Sequence, residues 1–131
     1  MKKLNGISIL VAEDEADLRD VFVDHFLYLG AKVEGVSSGK QGWDLIKKQN
    51  FDIVFSDIRM PGGDGIELIK NIHHMNSPKP NVFLCTGFSD LSASEAKNYG
   101  VLEIFSKPFD MNQVVTQMQI LHEASRSTKV T

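Results

Sequence analysis

The chain has 131 residues, 42% hydrophobic and 24% charged, the make-up of one globular domain that can bury a core without disulfide or metal support. Its 17 acidic and 14 basic residues leave a net charge of −3 with no basic block, which excludes sequence-independent nucleic-acid binding through clustered Lys and Arg. No apolar run reaches membrane-spanning length, and the one after Met1-Lys2-Lys3 is broken by Ser8 and closed by Glu13 and Asp14, so a cytoplasmic protein without membrane contact is expected.

From the amino end, short apolar runs alternate with segments of helical spacing. The first run, 7–12, is followed by Leu18, Val21, Phe22, Phe26 and Leu29 on one helical face, with Gly30 where a helix ends. The second run, 32–36, is more mixed, as suits an edge strand. Ser38 with Gln41 then resembles a capping box ahead of Trp43, Leu45 and Ile46. The third run, 53–56, leads into Asp57 and the loop Met60-Pro61-Gly62-Gly63, after which Asp64 and Glu67 begin a helix carrying Leu68, Ile69 and Ile72. The fourth run, 81–85, contains Cys85, the only cysteine, which reads as a small buried hydrophobe in a reducing compartment. The helix expected at 91–99 offers Ala93, Ala96 and little else for packing, and is expected to be mobile. The fifth run, 102–105, precedes Asp110, a cap for a last helix with Val114, Val115, Met118 and Leu121 inward. Five strand–helix alternations predict an α/β fold: a doubly wound five-stranded parallel sheet with five helices on both faces. The polar segment 125–131 is expected to be a flexible tail or the start of a linker, outside a domain spanning 1–124.

In an open parallel sheet, ligands bind beyond the carboxyl ends of the strands. Those ends carry Glu13 and Asp14, Asp57, Thr86, and Lys107 with Pro108. Three carboxylates brought together repel one another unless a cation joins them, and an all-oxygen donor set suits a hard ion such as magnesium. A carboxylate beside a divalent cation and a lysine is placed to attack a phosphoryl group and become an acyl phosphate. The Pro-Gly-Gly loop leaves the backbone free to turn a carbonyl toward the ion.

The pieces ILVAEDE, DIVFSDIRMPGGDG, VFLCTG and FSKPF, in this order and at these separations, resemble the receiver domain of two-component response regulators, of the flavodoxin-like, chemotaxis type, over about residues 6–124. The resemblance implies strand order 2-1-3-4-5. It makes Asp57 the phosphoacceptor, Asp14 a direct Mg2+ ligand, Glu13 a ligand acting largely through water, and the Arg59 carbonyl a further ligand. Lys107 would contact the phosphoryl oxygens, Thr86 would be the switch hydroxyl, and the Lys107–Pro108 peptide would be cis. Arg59 and Phe88 would control water access to the acyl phosphate and make it long-lived. Ile104 stands where the family usually has Tyr or Phe, and Phe105 should face the other way because strand side chains alternate. The implied phosphoryl donor is a sensor histidine kinase or a histidine phosphotransfer protein. The implied output is a downstream protein or a further domain, with room for a phosphorylation-dependent dimer and no direct contact with nucleic acid.

The implied function is a phosphorylation-activated signalling receiver, not an enzyme beyond its own phosphoryl transfer and autodephosphorylation. Two alternatives are an unphosphorylated interaction module on the same fold and an aspartyl-nucleophile phosphatase. The phosphatases usually carry a second Asp where this chain has Arg59, and the intact acidic set with Lys107 speaks against the inert module. His25, His73, His74 and His122 lack ligand spacing and read as surface or packing residues. Met60 reads as packing.

Overall fold

The computed structural model of the chain describes residues 2–61, 64–76, 78–87 and 91–129. In chain order its elements are β1 (Ser8–Ala12), α1 (Ala16–Tyr28), β2 (Lys32–Val36), α2 (Gly39–Ile46), β3 (Ile53–Asp57), α3 (Gly65–His74), β4 (Asn81–Thr86), α4 (Leu91–Ala96) with a 3-10 turn at Lys97–Tyr99, β5 (Glu103–Ser106) and α5 (Met111–Lys129). The five strands form one sheet in the order 2-1-3-4-5, with every neighbouring pair parallel.

The alternation of side chains along each strand divides the core into two layers. Leu10, Val54, Leu84 and Ile104 face α2, α3 and α4, packing with Ile46, Ile69, Ile72 and the fully buried Ala96. Ile9, Val11, Ile53, Phe55, Phe83 and Phe105 face α1 and α5, packing with Phe22, Phe26, Val114, Val115 and Met118. Phe55 is the hub of the second layer, meeting Phe22 and Phe26 edge-on at centroid distances of 5.1 and 5.6 Å. Ile104 and Phe105 therefore occupy opposite faces, as expected. Cys85 is buried in the Phe55 layer, and Met60 is buried in the other.

Local chemistry explains the helix starts. The Ser38 side chain accepts the Gln41 N–H at 3.2 Å, while the Gln41 side chain reaches back to the N–H of Ser37 rather than Ser38. Asp64 caps α3 through the Glu67 N–H at 3.1 Å, and Asp110 accepts the Asn112 N–H at 2.8 Å. Gly30 closes α1 at φ 96°, in left-handed backbone that favours glycine.

One expectation fails. Val21 is 54% exposed. It lies about 100° round the helix from Phe22, and the inward stripe runs instead through Phe22 and Phe26, with Leu18, Val23 and Leu29 beside them. The last helix runs to Lys129. Ser125 donates to the Asn81 side chain at 3.1 Å, and that side chain also meets His122 Nδ1 at 2.8 Å. These ties join α5 to the start of β4, and residues 125–129 are helical. No helix among the described residues is long and apolar enough to cross a membrane.

Candidate functional site

Parallel pairing in register brings the tips of β1, β3 and β4 to one edge, with Asp57 opposite Cys85 and Thr86 opposite Ser106. Asp57 and Thr86 are the last residues of their strands and both are buried. Lys107 follows β5, its N–H held by the Thr86 carbonyl at 2.7 Å. Its ammonium bridges Asp57 Oδ2 at 3.2 Å and Glu13 Oε1 at 3.3 Å. Asp57 Oδ1 accepts the Ile58 N–H at 2.8 Å, and Glu13 Oε2 accepts the Glu15 N–H at 3.1 Å. Glu13, Asp14 and Asp57 offer carboxylate oxygens lying within 4.8 Å of one another. The Lys107–Pro108 peptide is cis.

Glu13 is 1% exposed. Burial pushes its carboxyl above the usual range; the Glu15 N–H and the Lys107 ammonium oppose that shift, while the Asp57 charge adds to it. For Lys107, partial burial works against the charged form, but the negative charges of Asp57 and Glu13 outweigh it and raise the ammonium above its ordinary value. Burial likewise holds the Cys85 thiol far above its ordinary range, so it stays protonated and inert. Counted as ionised, three carboxylates against one ammonium leave two negative charges, −3 + 1 = −2. A divalent cation would balance that charge, and the all-oxygen donor set suits a hard ion. The residues present thus fit such an ion.

The other predicted residues fall where the backbone takes them. Arg59 is exposed on the loop after β3. Ile104 belongs to the α2–α3–α4 face. Phe88, Gly62 and Gly63 lie outside the described residues. His122 hydrogen-bonds the Asn81 side chain at 2.8 Å, and His73 packs edge-on against Tyr99.

Sequence reasoning passed over Gly65. Its N–H donates to the Ile58 carbonyl at 2.8 Å, and a Cβ built there would lie 2.2 Å from the Asp57 carbonyl oxygen. The start of α3 therefore rests directly on the backbone of Asp57, and only glycine permits that approach. The available signal was glycine just after the Asp64 cap, where it costs helix stability relative to Ala.

Residues 9–119 match the response regulator receiver domain family. The chain is 30% identical over 107 residues to sporulation initiation phosphotransferase F of Bacillus subtilis, covering 81% of this chain and 86% of that protein. It is 33% identical over 111 residues to the DNA-binding transcriptional regulator NtrC of Klebsiella pneumoniae, covering 84% of this chain but only 23% of the regulator. Among solved structures, a CheY-like response regulator receiver domain protein from Methanospirillum hungatei superposes with a TM-score of 0.87, covering 95% of this chain and 99% of that one. At 21% identity that likeness speaks to the fold alone.

Proposed function

The chain belongs to the response regulator receiver domain family of two-component systems, and from that membership and the strand-tip site we propose that Asp57 accepts a phosphoryl group and thereby switches a partner-binding surface. The observation that carries this reading is the Lys107 ammonium, 3.2 Å from Asp57 and 3.3 Å from Glu13, within a carboxylate set that fits a divalent cation.

Glu13, Asp14 and Asp57, with the carbonyl of Arg59, would hold Mg2+. When bound, the ion supplies positive charge to phosphoryl oxygens. The protein's own groups do the rest. An Asp57 carboxylate oxygen attacks phosphorus, and the bond from phosphorus to the donor's leaving group breaks, its electron pair departing with that group. Lys107 moves from neutralising Asp57 to neutralising the phosphoryl oxygens. The Ile58 N–H orients the carboxylate from behind, and Thr86 offers a hydroxyl to the new oxygens at the tip of the adjoining strand. The donor is a phosphohistidine on a sensor kinase or a phosphotransfer protein, and the output is a downstream protein or domain. The chain turns over no substrate besides its own phosphoryl group.

The test uses acetyl phosphate and magnesium with the full chain. Incorporated phosphate that hydroxylamine releases is an acyl phosphate and supports the reading. Absence of incorporation, or hydroxylamine-resistant phosphate, rejects it.

A further inference from the structure

We infer that Arg19 is a positioning residue that fixes the peptide plane joining Glu13 to Asp14, and through it the affinity of the acidic site for its cation. This rests on the reading of the site given above. Arg19 lies in the first part of α1 and is partly buried, and its Nη1 donates to the Glu13 carbonyl at 2.9 Å. The other polar groups of Glu13 are also engaged. Its N–H donates to the Val36 carbonyl at 3.0 Å, and its two carboxylate oxygens accept from Glu15 and Lys107. Arg19 supplies the tie to the carbonyl.

That carbonyl and the N–H of Asp14 belong to one planar, rigid unit. The Asp14 side chain is exposed, so packing does not hold it, and the backbone that carries it sets which positions its carboxylate can reach. The route of the arginine stem is equally specific. A Cβ built on Gly35 of β2 would lie 3.5 Å from Arg19 Cγ and Cδ, so the stem runs along bare backbone at the sheet edge before turning to the loop.

Arg19 acts on a bound cation in two opposed ways. Its charge repels the ion, and its hydrogen bond holds the ligand loop in place. The high dielectric of a partly solvated site, where the Asp14 side chain is exposed, weakens the repulsion. Loss of an outer partner that orients a ligand typically costs tenfold or more in metal affinity. The positioning effect therefore dominates.

Two variants separate these effects. Arg19→Met keeps the apolar stem along Gly35 and removes both donor and charge. Arg19→Lys keeps charge and a donor. Magnesium chloride is titrated into the full chain by calorimetry, and phosphorylation by acetyl phosphate is followed against magnesium concentration. In Arg19→Met the magnesium dissociation constant and the half-saturating magnesium should both rise about tenfold. The phosphorylation rate at saturating magnesium should stay within about twofold of wild type, a split that general unfolding would not give. Arg19→Lys should recover most of the affinity. Equal or tighter magnesium binding by Arg19→Met would mean that repulsion governs and overturns the inference. Wild type that neither binds magnesium nor accepts phosphate would instead remove the reading of the site itself, a result distinct from any difference between variants.

Discussion

Glu13 concentrates the electrostatic tension of the site in one side chain. Burial raises its pKa above the ordinary 4.5, so its ionisation opposes folding in the metal-free protein. That contribution to stability is present below the ordinary value and is lost as pH rises through the folded one. In EDTA at pH 7, Glu13→Gln should therefore unfold at a higher denaturant concentration than wild type, and added magnesium should narrow the difference. Lys107 has the complementary profile. Its pKa is raised above 10.5, so the stability it contributes is complete below 10.5 and is lost as pH rises through the folded value. Urea midpoints of the metal-free protein above pH 10.5 should fall more steeply for wild type than for Lys107→Met. Parallel curves would show that the bridge to Asp57 and Glu13 does not couple to folding.

At the scale of elements, the start of α3 bears on the strand tip that carries Asp57. Gly65→Ala places a methyl group 2.2 Å from the Asp57 carbonyl oxygen, an overlap that backbone movement must relieve. The expected destabilisation is about 1–3 kcal/mol, and phosphorylation of Asp57 should slow even where the variant remains folded. A folded Gly65→Ala chain phosphorylated at the wild-type rate would show that α3 does not set the acceptor's position. Beyond Thr86, α4 buries Ala96 in the core and meets α3 through surface contacts as well. Lys70 pairs with Glu95 at 3.3 Å and lies over the Tyr99 ring, while His73 meets that ring edge-on at 5.5 Å. Exposed pairs of this kind are individually weak, and phosphorylation can bias α4 between two arrangements only through contacts that differ between the states. Thr86→Ala should still accept phosphate on Asp57 yet lose most phosphorylation-induced amide shifts across α4, β5 and α5. Retention of the full pattern would refute a switching role for Thr86.

Across the whole molecule, legibility follows the range of the interaction. Strands buried on both faces leave unbroken apolar runs, and the polar residues that end those runs stand out, so Glu13, Asp14, Asp57, Thr86 and Lys107 could be placed at one sheet edge before any coordinates. Strand order came from the resemblance, since no run of residues records its neighbours. Val21 could not be told from an inward residue, because apolar spacing on α1 fits two adjacent stripes and packing against Phe55 selects one. Ser125 of α5 meets Asn81 of β4, a contact between positions far apart in the chain that local spacing does not record. Gly65 and Arg19 were invisible for the same reason, since each acts on backbone atoms of another element, to which composition and periodicity are blind.

The central claim is that the carboxylate of Asp57 is the acceptor, and intact-protein mass spectrometry tests it most directly. Wild type and Asp57→Asn are incubated with acetyl phosphate and magnesium, and a further wild-type sample with acetyl phosphate and EDTA. The account predicts the mass of one added phosphoryl group in wild type with magnesium, and none in the other two samples. Undiminished labelling of Asp57→Asn would contradict it.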